Sequence, residues 1–163
     1  MIVVVMGVSG SGKSTLAARL VERTGWAFAE GDDYHSEANR AKMAGGTPLT
    51  DEDRLPWLDA LHAVLAGWKA VGESGILTCS ALKQSYRERL LGGVEEARVV
   101  WLDPPRTLLE ERLATRTGHY MNPRLLDSQL ATLEAPAGEQ VLHLTAAESA
   151  DVLAERVLGW LGK

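Results

Sequence analysis

The stretch that decides the fold reads Gly7-Val8-Ser9-Gly10-Ser11-Gly12-Lys13-Ser14, a complete G-x-x-x-x-G-K-S pattern. It follows a run of β-forming residues, Ile2 to Met6, and precedes apolar residues at helical spacing. Glycines at these positions let backbone N–H groups turn inward around a polyphosphate, and the helix that follows adds the positive end of its dipole. A strand, this loop and a helix in that order predict a binding site for nucleotide phosphates; a turn that merely joins strand to helix is the alternative.

We call residues 7–14 the phosphate loop, and its polar residues have separate predicted parts. Lys13 is expected to reach the β- and γ-phosphates of ATP and to be catalytic, and the Ser14 hydroxyl is expected to be a ligand of Mg²⁺. The residues in and next to the loop that we expect to bind the nucleotide are Gly7, Ser9, Gly10, Ser11, Gly12, Lys13, Ser14 and Thr15.

Composition limits the class of protein. The chain has 163 residues, of which 45% are hydrophobic and 24% charged, as expected for one globular domain over 1–163. Its net charge of −5 argues against a general nucleic-acid or membrane-surface role. A single Cys rules out an internal disulfide and suits a reducing compartment, and no apolar run approaches the ~20 residues of a membrane span. The N-terminus also lacks the basic region of a signal peptide, so we expect a cytoplasmic protein.

Predicted strands and helices alternate along the chain. The predicted strands are 2–6, 26–30, 75–79, 98–102 and 140–144. Helices are predicted after the phosphate loop and over 37–44, 50–72, 82–91, 105–113, 125–133 and 150–161. This alternation predicts a three-layer α/β sandwich with a five-stranded parallel sheet, whose functional loops lie at the carboxyl ends of the strands. Pro56 predicts either a separate first turn or a kink in the third helix.

Two carboxylates, Glu30 and Asp32, lie two residues apart at the end of the second predicted strand, so both can point to the same side. One can order the water shell of Mg²⁺ while the other accepts the proton of an attacking hydroxyl, which suits phosphoryl transfer to a small alcohol. The spacing leaves open which of them is the base, and a solvated acidic turn is the alternative. The Asn-Lys-x-Asp and Asp-x-x-Gly strings of GTPases do not occur in the sequence.

Several longer strings closely resemble the small phosphate-loop gluconate kinases. They are Gly31-Asp32-Asp33-Tyr34-His35, Asp53-Arg54-x-Pro56-Trp57-Leu58, Cys79-Ser80-Ala81-Leu82-Lys83 and Arg116-x-Gly118-His119-Tyr120, with Gln129 beyond them. The similarity covers essentially the whole chain, in order and at matching spacing. It implies ATP-dependent phosphorylation of D-gluconate to 6-phospho-D-gluconate on the fold of nucleoside-monophosphate and shikimate kinases, and a homodimer. The family often has Asp where Glu30 stands, which favours a water-mediated contact of Glu30 with Mg²⁺.

The resemblance leaves other functions to be weighed. Another small-metabolite kinase of this fold, of the shikimate or nucleotide type, is the nearest alternative. A non-catalytic nucleotide-binding module is the alternative from a different class, and it predicts ATP affinity without turnover that depends on an acceptor.

Gluconate carries a carboxylate at one end and the reacting hydroxyl at the other, so its enzyme needs a cationic clamp away from the phosphate loop. The substrate-binding residues that we expect are Asp32, His35, Arg54, Ser80, Lys83 and Arg87. Each has a simpler interpretation: the three cations as local ion pairs or solvated groups, His35 as a turn-stabilising residue and Ser80 as a helix cap.

Arg112 and Arg116 lie four residues apart and flank the start of an irregular segment, which we expect to be a lid over about 116–124. In this kinase fold such arginines contact the nucleotide, and Arg116 is expected to be catalytic as the lid closes and excludes water. A surface loop with solvated arginines is the alternative. Adenine recognition is expected from backbone near 145–149.

Overall fold

The computed structural model of the chain describes residues 1–115, 124–145 and 147–163. Within them, five strands form one sheet in the order β2-β3-β1-β4-β5, and every neighbouring pair is parallel. The strands are β1 (Ile2–Met6), β2 (Ala27–Glu30), β3 (Gly75–Thr78), β4 (Arg98–Leu102) and β5 (Val141–Leu144). The predicted parallel sheet is therefore confirmed, with strand ends that differ by at most one residue from those predicted.

Helices cover both faces of the sheet, as the alternation of elements predicts. They are α1 (Lys13–Thr24), α2 (Glu37–Ala44), α3 (Asp51–Ala70), α4 (Gln84–Leu91), α5 (Arg106–Thr115), α6 (Arg124–Thr132) and α7 (Ala150–Leu161). Successive residues of β1 face opposite sides: Val3 and Val5 pack with α1 and α7, whereas Val4 and Met6 pack with α3 and α4. All five residues of β1 are buried, so the strand that leads into the phosphate loop is the centre of the core.

Local capping signals account for where several helices begin. The Ser36 hydroxyl accepts from the backbone N–H of Asn39, and Ser149 caps α7 in the same way. Thr50 and Asp53 form a reciprocal capping box at the start of α3. The helix continues unbroken through Pro56, so the separate first turn does not occur. Proline has no backbone N–H, so one hydrogen bond of the first turns is missing, and the capping box stabilises this acidic end of the helix.

The strand order places three connections side by side at the carboxyl ends of the strands. The phosphate loop follows β1, a 3₁₀ turn (Gly31–Tyr34) follows β2, and the segment 79–83 follows β3, which lies between the other two strands. Both neighbours of β1 come from later in the chain, so a crevice opens at the carboxyl ends where the strand order reverses.

Gly31 is required where β2 meets β3. A Cβ on this residue would lie 2.1 Å from the carbonyl oxygen of Thr78, which is backbone and cannot move aside. The indole Nε1 of Trp57 donates to the Gly31 carbonyl at 2.8 Å and holds the turn against α3. The start of the 3₁₀ turn is therefore pinned between β3 and α3.

We expect Gly31→Ala to lower the free energy of unfolding by about 3 kcal/mol, because the added methyl group overlaps backbone. Gly67→Ala is the matched control: no atom lies within 4 Å of its Cβ position in α3, and alanine should stabilise the helix by about 0.5–1 kcal/mol. Urea unfolding of both variants measures the difference, and a Gly31→Ala protein as stable as the Gly67→Ala control would contradict the account.

Candidate active site

Backbone geometry shapes the phosphate loop as the motif predicts. Gly10 and Gly12 have φ of +83° and +98°, the left-handed region in which a side chain is strained, and α1 begins at the next residue, Lys13. At the other end, a Cβ on Gly7 would lie 2.7 Å from the carbonyl oxygen of Leu102 in β4. The loop thus needs glycine both for its curvature and for its close packing against the sheet.

Two helices far along the chain contact this loop. The Lys13 ammonium donates to the carbonyls of Gly7 and Val8, at 2.8 and 3.1 Å. The backbone N–H of Ser9 donates to Oε1 of Gln129 in α6 at 2.7 Å. Arg112 in α5 donates to the carbonyl of Gly10 at 3.0 Å, which places its guanidinium over the loop.

The Glu30 carboxylate joins the ends of two strands, β2 and β3, to the start of α1. Its Oε2 accepts from the hydroxyl of Ser14 at 2.6 Å, and its Oε1 accepts from the hydroxyl of Thr78, also at 2.6 Å. A hydroxyl and a carboxylate are the hard oxygen ligands that Mg²⁺ prefers, so these residues fit the ion expected with the nucleotide. No cage of three or more His, Cys, Asp or Glu side chains occurs among the described residues, and Mg²⁺ sites of this kind retain several waters. Sequence reasoning missed Thr78, because a threonine at a strand end has no distinctive signal.

The backbone holds Asp32 while its side chain is partly exposed. Arg40 in α2 donates to the carbonyls of Asp32 and Asp33, at 3.2 and 3.0 Å. Among the described residues, the Asp32 carboxylate makes no hydrogen bond or ion pair. The turn is therefore fixed without using the carboxylate that the sequence proposes as a base.

Charges from three elements act on one buried group, the thiol of Cys79 at the end of β3. Burial is the main reason that the pKa of this thiol is raised to about 12. The charge of Asp32 acts in the same direction, whereas a backbone hydrogen bond at Ala81 and the charges of Lys13 and Arg54 oppose the rise. The hydrogen bonds from Ser14 to Glu30 and from Trp57 to Gly31 bring the phosphate loop and α3 to the same end of the sheet as the 3₁₀ turn. The thiol itself is buried and protonated, so we assign it no part in the reaction.

His35 is a buried neutral histidine. Its ring stacks on Trp57 with centroids 4.2 Å apart. Burial is the main reason that its pKa is lowered to about 4; the charge of Asp32 opposes this shift, and those of Arg54 and Arg40 add to it. The amide of Asn39 donates to the carbonyl of Asp53 at 2.9 Å, which orients this amide so that it also donates to Nδ1 of His35 at 3.4 Å. The proton is thereby assigned to Nε2, which is the donor of the ring.

Two of the three predicted clamp cations meet around one tyrosine. Arg54 donates to the hydroxyl of Tyr86 at 3.0 Å, and Lys83 lies over the same ring, 5.5 Å from its centroid. The Tyr86 hydroxyl donates to the Asp51 carboxylate at 2.6 Å, and Lys83 pairs with the same carboxylate at 3.1 Å. The hydrogen bond from Tyr86 is the main reason that the pKa of Asp51 is lowered. Sequence reasoning missed Tyr86 as the residue that brings the N-terminal ends of α3 and α4 together.

The structure gives Arg87, a predicted substrate-binding residue, a set of protein partners. Its side chain is only 6% exposed and donates to the carbonyls of Ala81, Leu82 and Glu134, at 2.7, 3.1 and 2.8 Å, so the guanidinium holds the backbone around α4. Ser80 is half-buried in the segment 79–83 and does not cap α4, because α4 begins at Gln84.

A cleft of about 400 Å³ lies beside the phosphate loop. Its lining includes Gly12, Thr15 and Arg112, and, from the other side, Glu148 and Ser149 before α7. Adenine recognition near 145–149 stays a prediction; Ala146 of that segment lies outside the described residues. The predicted lid residues 116–123, including Arg116, His119 and Tyr120, also lie outside them.

No helix in the described part of the chain is both long and apolar enough to cross a bilayer.

Comparison with known proteins gives concordant results. The profile of the family described as AAA domain matches residues 2–136. The gluconokinase of Gluconobacter oxydans is 47% identical over 156 residues, covering 95% of this chain and 88% of that protein. A solved sugar kinase from Janibacter sp. HTCC2649 superposes with a TM-score of 0.93 at 46% identity, covering 99% of this chain and 94% of that one.

Two further structures separate family from fold. A gluconokinase from Sinorhizobium meliloti 1021 superposes with a TM-score of 0.87 at 41% identity, over 98% of this chain and 90% of that one. Shikimate kinase from Acinetobacter baumannii reaches 0.60 at 17% identity, over 98% and 92%, a likeness in fold alone. With relatives this similar over nearly its whole length, the chain belongs to the gluconokinase family and has the fold of the phosphate-loop kinases.

Proposed function

We propose that this protein transfers the γ-phosphoryl group of ATP to D-gluconate, giving 6-phospho-D-gluconate and ADP by direct in-line transfer. The observation that carries the proposal is the Glu30 carboxylate, which accepts from Ser14 and from Thr78 and so brings the phosphate loop next to the acidic end of β2, in a chain 47% identical to a gluconokinase. A shikimate-type or nucleotide kinase is not favoured, because the likeness to shikimate kinase is one of fold alone.

Asp32 is the proposed general base. Its carboxylate makes no hydrogen bond or ion pair to a described residue, so it is available to accept a proton. The primary hydroxyl oxygen of gluconate attacks the γ-phosphorus, its proton passes to Asp32, and the bond to the β–γ bridging oxygen breaks. Lys13 stabilises the negative charge that develops on the transferred group.

Ser14 and Glu30 are the residues proposed to hold Mg²⁺, the hydroxyl directly and the carboxylate through water, with Asp32 also acting through water. When bound, the ion neutralises charge on the phosphates. Thr78 orients the Glu30 carboxylate by its hydrogen bond of 2.6 Å. The chain's own contribution is thus one hydroxyl ligand and a carboxylate that is already oriented to hold the water shell of the ion.

Arg54 and Lys83 are proposed to bind the carboxylate of gluconate, since both cations gather at Tyr86 beside the 3₁₀ turn. The neutral Nε2–H of His35 and the hydroxyl of Ser80 are proposed to bind the sugar hydroxyls. A neutral donor suits this part because it recognises a hydroxyl without competing for the carboxylate.

The remaining features of the proposal rest on the family resemblance. They are the nucleotide contacts of Arg112, a closing lid with Arg116, a homodimer and a cytoplasmic location. The hydrogen bond from Arg112 to the carbonyl of Gly10 supports the first of them, because it places a cation beside the loop that is proposed to bind the phosphates.

An acceptor panel tests the function directly. Purified protein is mixed with ATP and Mg²⁺ and with gluconate, shikimate, glycerate or nucleoside monophosphates in turn, and ADP formation is measured. We expect gluconate alone to stimulate turnover strongly. Turnover with shikimate or a nucleotide instead would establish the alternative kinase, and ATP binding without any stimulated turnover would establish a non-catalytic module.

We expect Asp32→Asn to lower kcat about 100-fold or more, because the amide cannot accept the hydroxyl proton. Asp33→Asn is the matched control, with the same charge change at the adjacent exposed residue, whose only described contact uses its backbone carbonyl. Steady-state kinetics with gluconate compare the two, and equal losses in both variants would count against Asp32 as the base.

We expect Arg54→Met to raise KM for gluconate about tenfold while leaving KM for ATP unchanged, because a charge-assisted contact to the carboxylate is lost. Arg89→Met is the control, since Arg89 lies on α4 in an exposed ion pair with Asp59. A rise in both KM values for Arg54→Met would indicate a structural part for this arginine.

A further inference from the structure

One peptide unit of the phosphate loop is held at both of its ends. The carbonyl of Val8 accepts from the Lys13 ammonium at 3.1 Å, and the N–H of Ser9, on the other side of the same peptide bond, donates to Gln129 Oε1 at 2.7 Å. The two groups point in opposite directions because a trans peptide is planar. A rotation of this unit would therefore break both contacts together.

Gln129 reaches the loop from a firmly packed helix. Leu126 and Leu130 of α6 lie in one apolar cluster with Val8 of the loop and Leu109 of α5. The helix that carries Gln129 is thus already packed against Val8, the residue whose carbonyl accepts from Lys13. This packing is independent of the hydrogen bond and sets the distance that the amide spans.

The chemistry of the side chain suits this part. An ammonium has three donors and no acceptor, so Lys13 needs carbonyl oxygens turned towards it. If the peptide rotated, the N–H of Ser9 would replace the carbonyl of Val8 and its positive end would face the ammonium. A glutamine accepts the N–H without adding charge beside the phosphates, which neither glutamate nor lysine can do.

We propose that Gln129 is a positioning residue for Lys13: by holding the N–H of Ser9 it keeps the carbonyl of Val8 turned to the ammonium and aligns Lys13 with the transferred phosphoryl group. The kinetic part of this inference rests on the proposed function. The binding part does not, because it concerns only the phosphate loop and a nucleotide.

The first test is kinetic. Gln129→Met keeps the length of the side chain and removes the acceptor, and we expect kcat for gluconate to fall about tenfold with KM for gluconate unchanged within about twofold. Thr132→Val is the control, since it removes a hydroxyl that donates to the carbonyl of Ser128 within the same helix. Wild-type kcat in Gln129→Met, or an equal loss in Thr132→Val, would overturn the proposal.

The second test is a double-mutant cycle on nucleotide affinity. The dissociation constant of the non-hydrolysable analogue adenylyl imidodiphosphate with Mg²⁺ is measured by calorimetry for wild type, Gln129→Met, Lys13→Met and the double variant. We expect Gln129→Met to weaken binding in the presence of Lys13 and to have little further effect in its absence. Equal losses in both backgrounds would show that Gln129 serves the fold alone and would overturn the proposal.

Two outcomes separate this inference from the proposed function. Wild-type protein that fails to phosphorylate gluconate refutes the function, while the affinity cycle still decides the part of Gln129. If Gln129→Met does not fold, Gln129→Asn replaces it, because it keeps an amide but withdraws the oxygen by one methylene. The same coupling to Lys13 is expected for Gln129→Asn, and its absence there would overturn the proposal.

Discussion

The Glu30 carboxylate, shared between the hydroxyls of Ser14 and Thr78, is the interaction on which the rest of the site depends. Its two oxygens each accept one hydrogen bond of 2.6 Å, so a single side chain joins β2, β3 and the start of α1. Hydrogen bonds to a carboxylate are stronger than those between neutral groups. The bond between Glu30 and Thr78 connects two strands that are neighbours in space but distant in sequence. The phosphate loop and the 3₁₀ turn after β2 are thereby held at a defined separation.

Around this bridge, the site uses backbone contacts for position and leaves selected side chains for chemistry. Arg40 holds the carbonyls of Asp32 and Asp33, and Trp57 holds that of Gly31, so the turn is fixed without engaging the Asp32 carboxylate. Gln129 and Lys13 hold the loop in the same manner, through one peptide unit. Contacts of this kind fix the direction of a side chain while its functional group remains available.

Two cations at the start of α4 show how far a motif can predict function. Lys83 and Arg87 lie four residues apart, and the resemblance to gluconate kinases treats both as candidates for the same carboxylate. Lys83 lies beside Tyr86 and Asp51, whereas Arg87 is buried and its donors go to backbone carbonyls. The difference arises from what covers each turn of the helix: the segment after α6 passes over Arg87 and supplies the carbonyl of Glu134.

The sequence by itself determined the parallel sheet, the phosphate loop, the helix caps and the family. These features depend on periodicity, on glycines with special φ values and on residues three or four apart, all of which act over short distances along the chain. Only the tertiary structure decided the parts of Thr78, Tyr86, Gln129 and Arg87. Each of them has a partner 32 to 120 positions away, and a contact between distant residues exists only once the chain has packed. An ordinary threonine, tyrosine, glutamine or arginine carries no local signal of such a partner, because its neighbours in space are chosen by the fold.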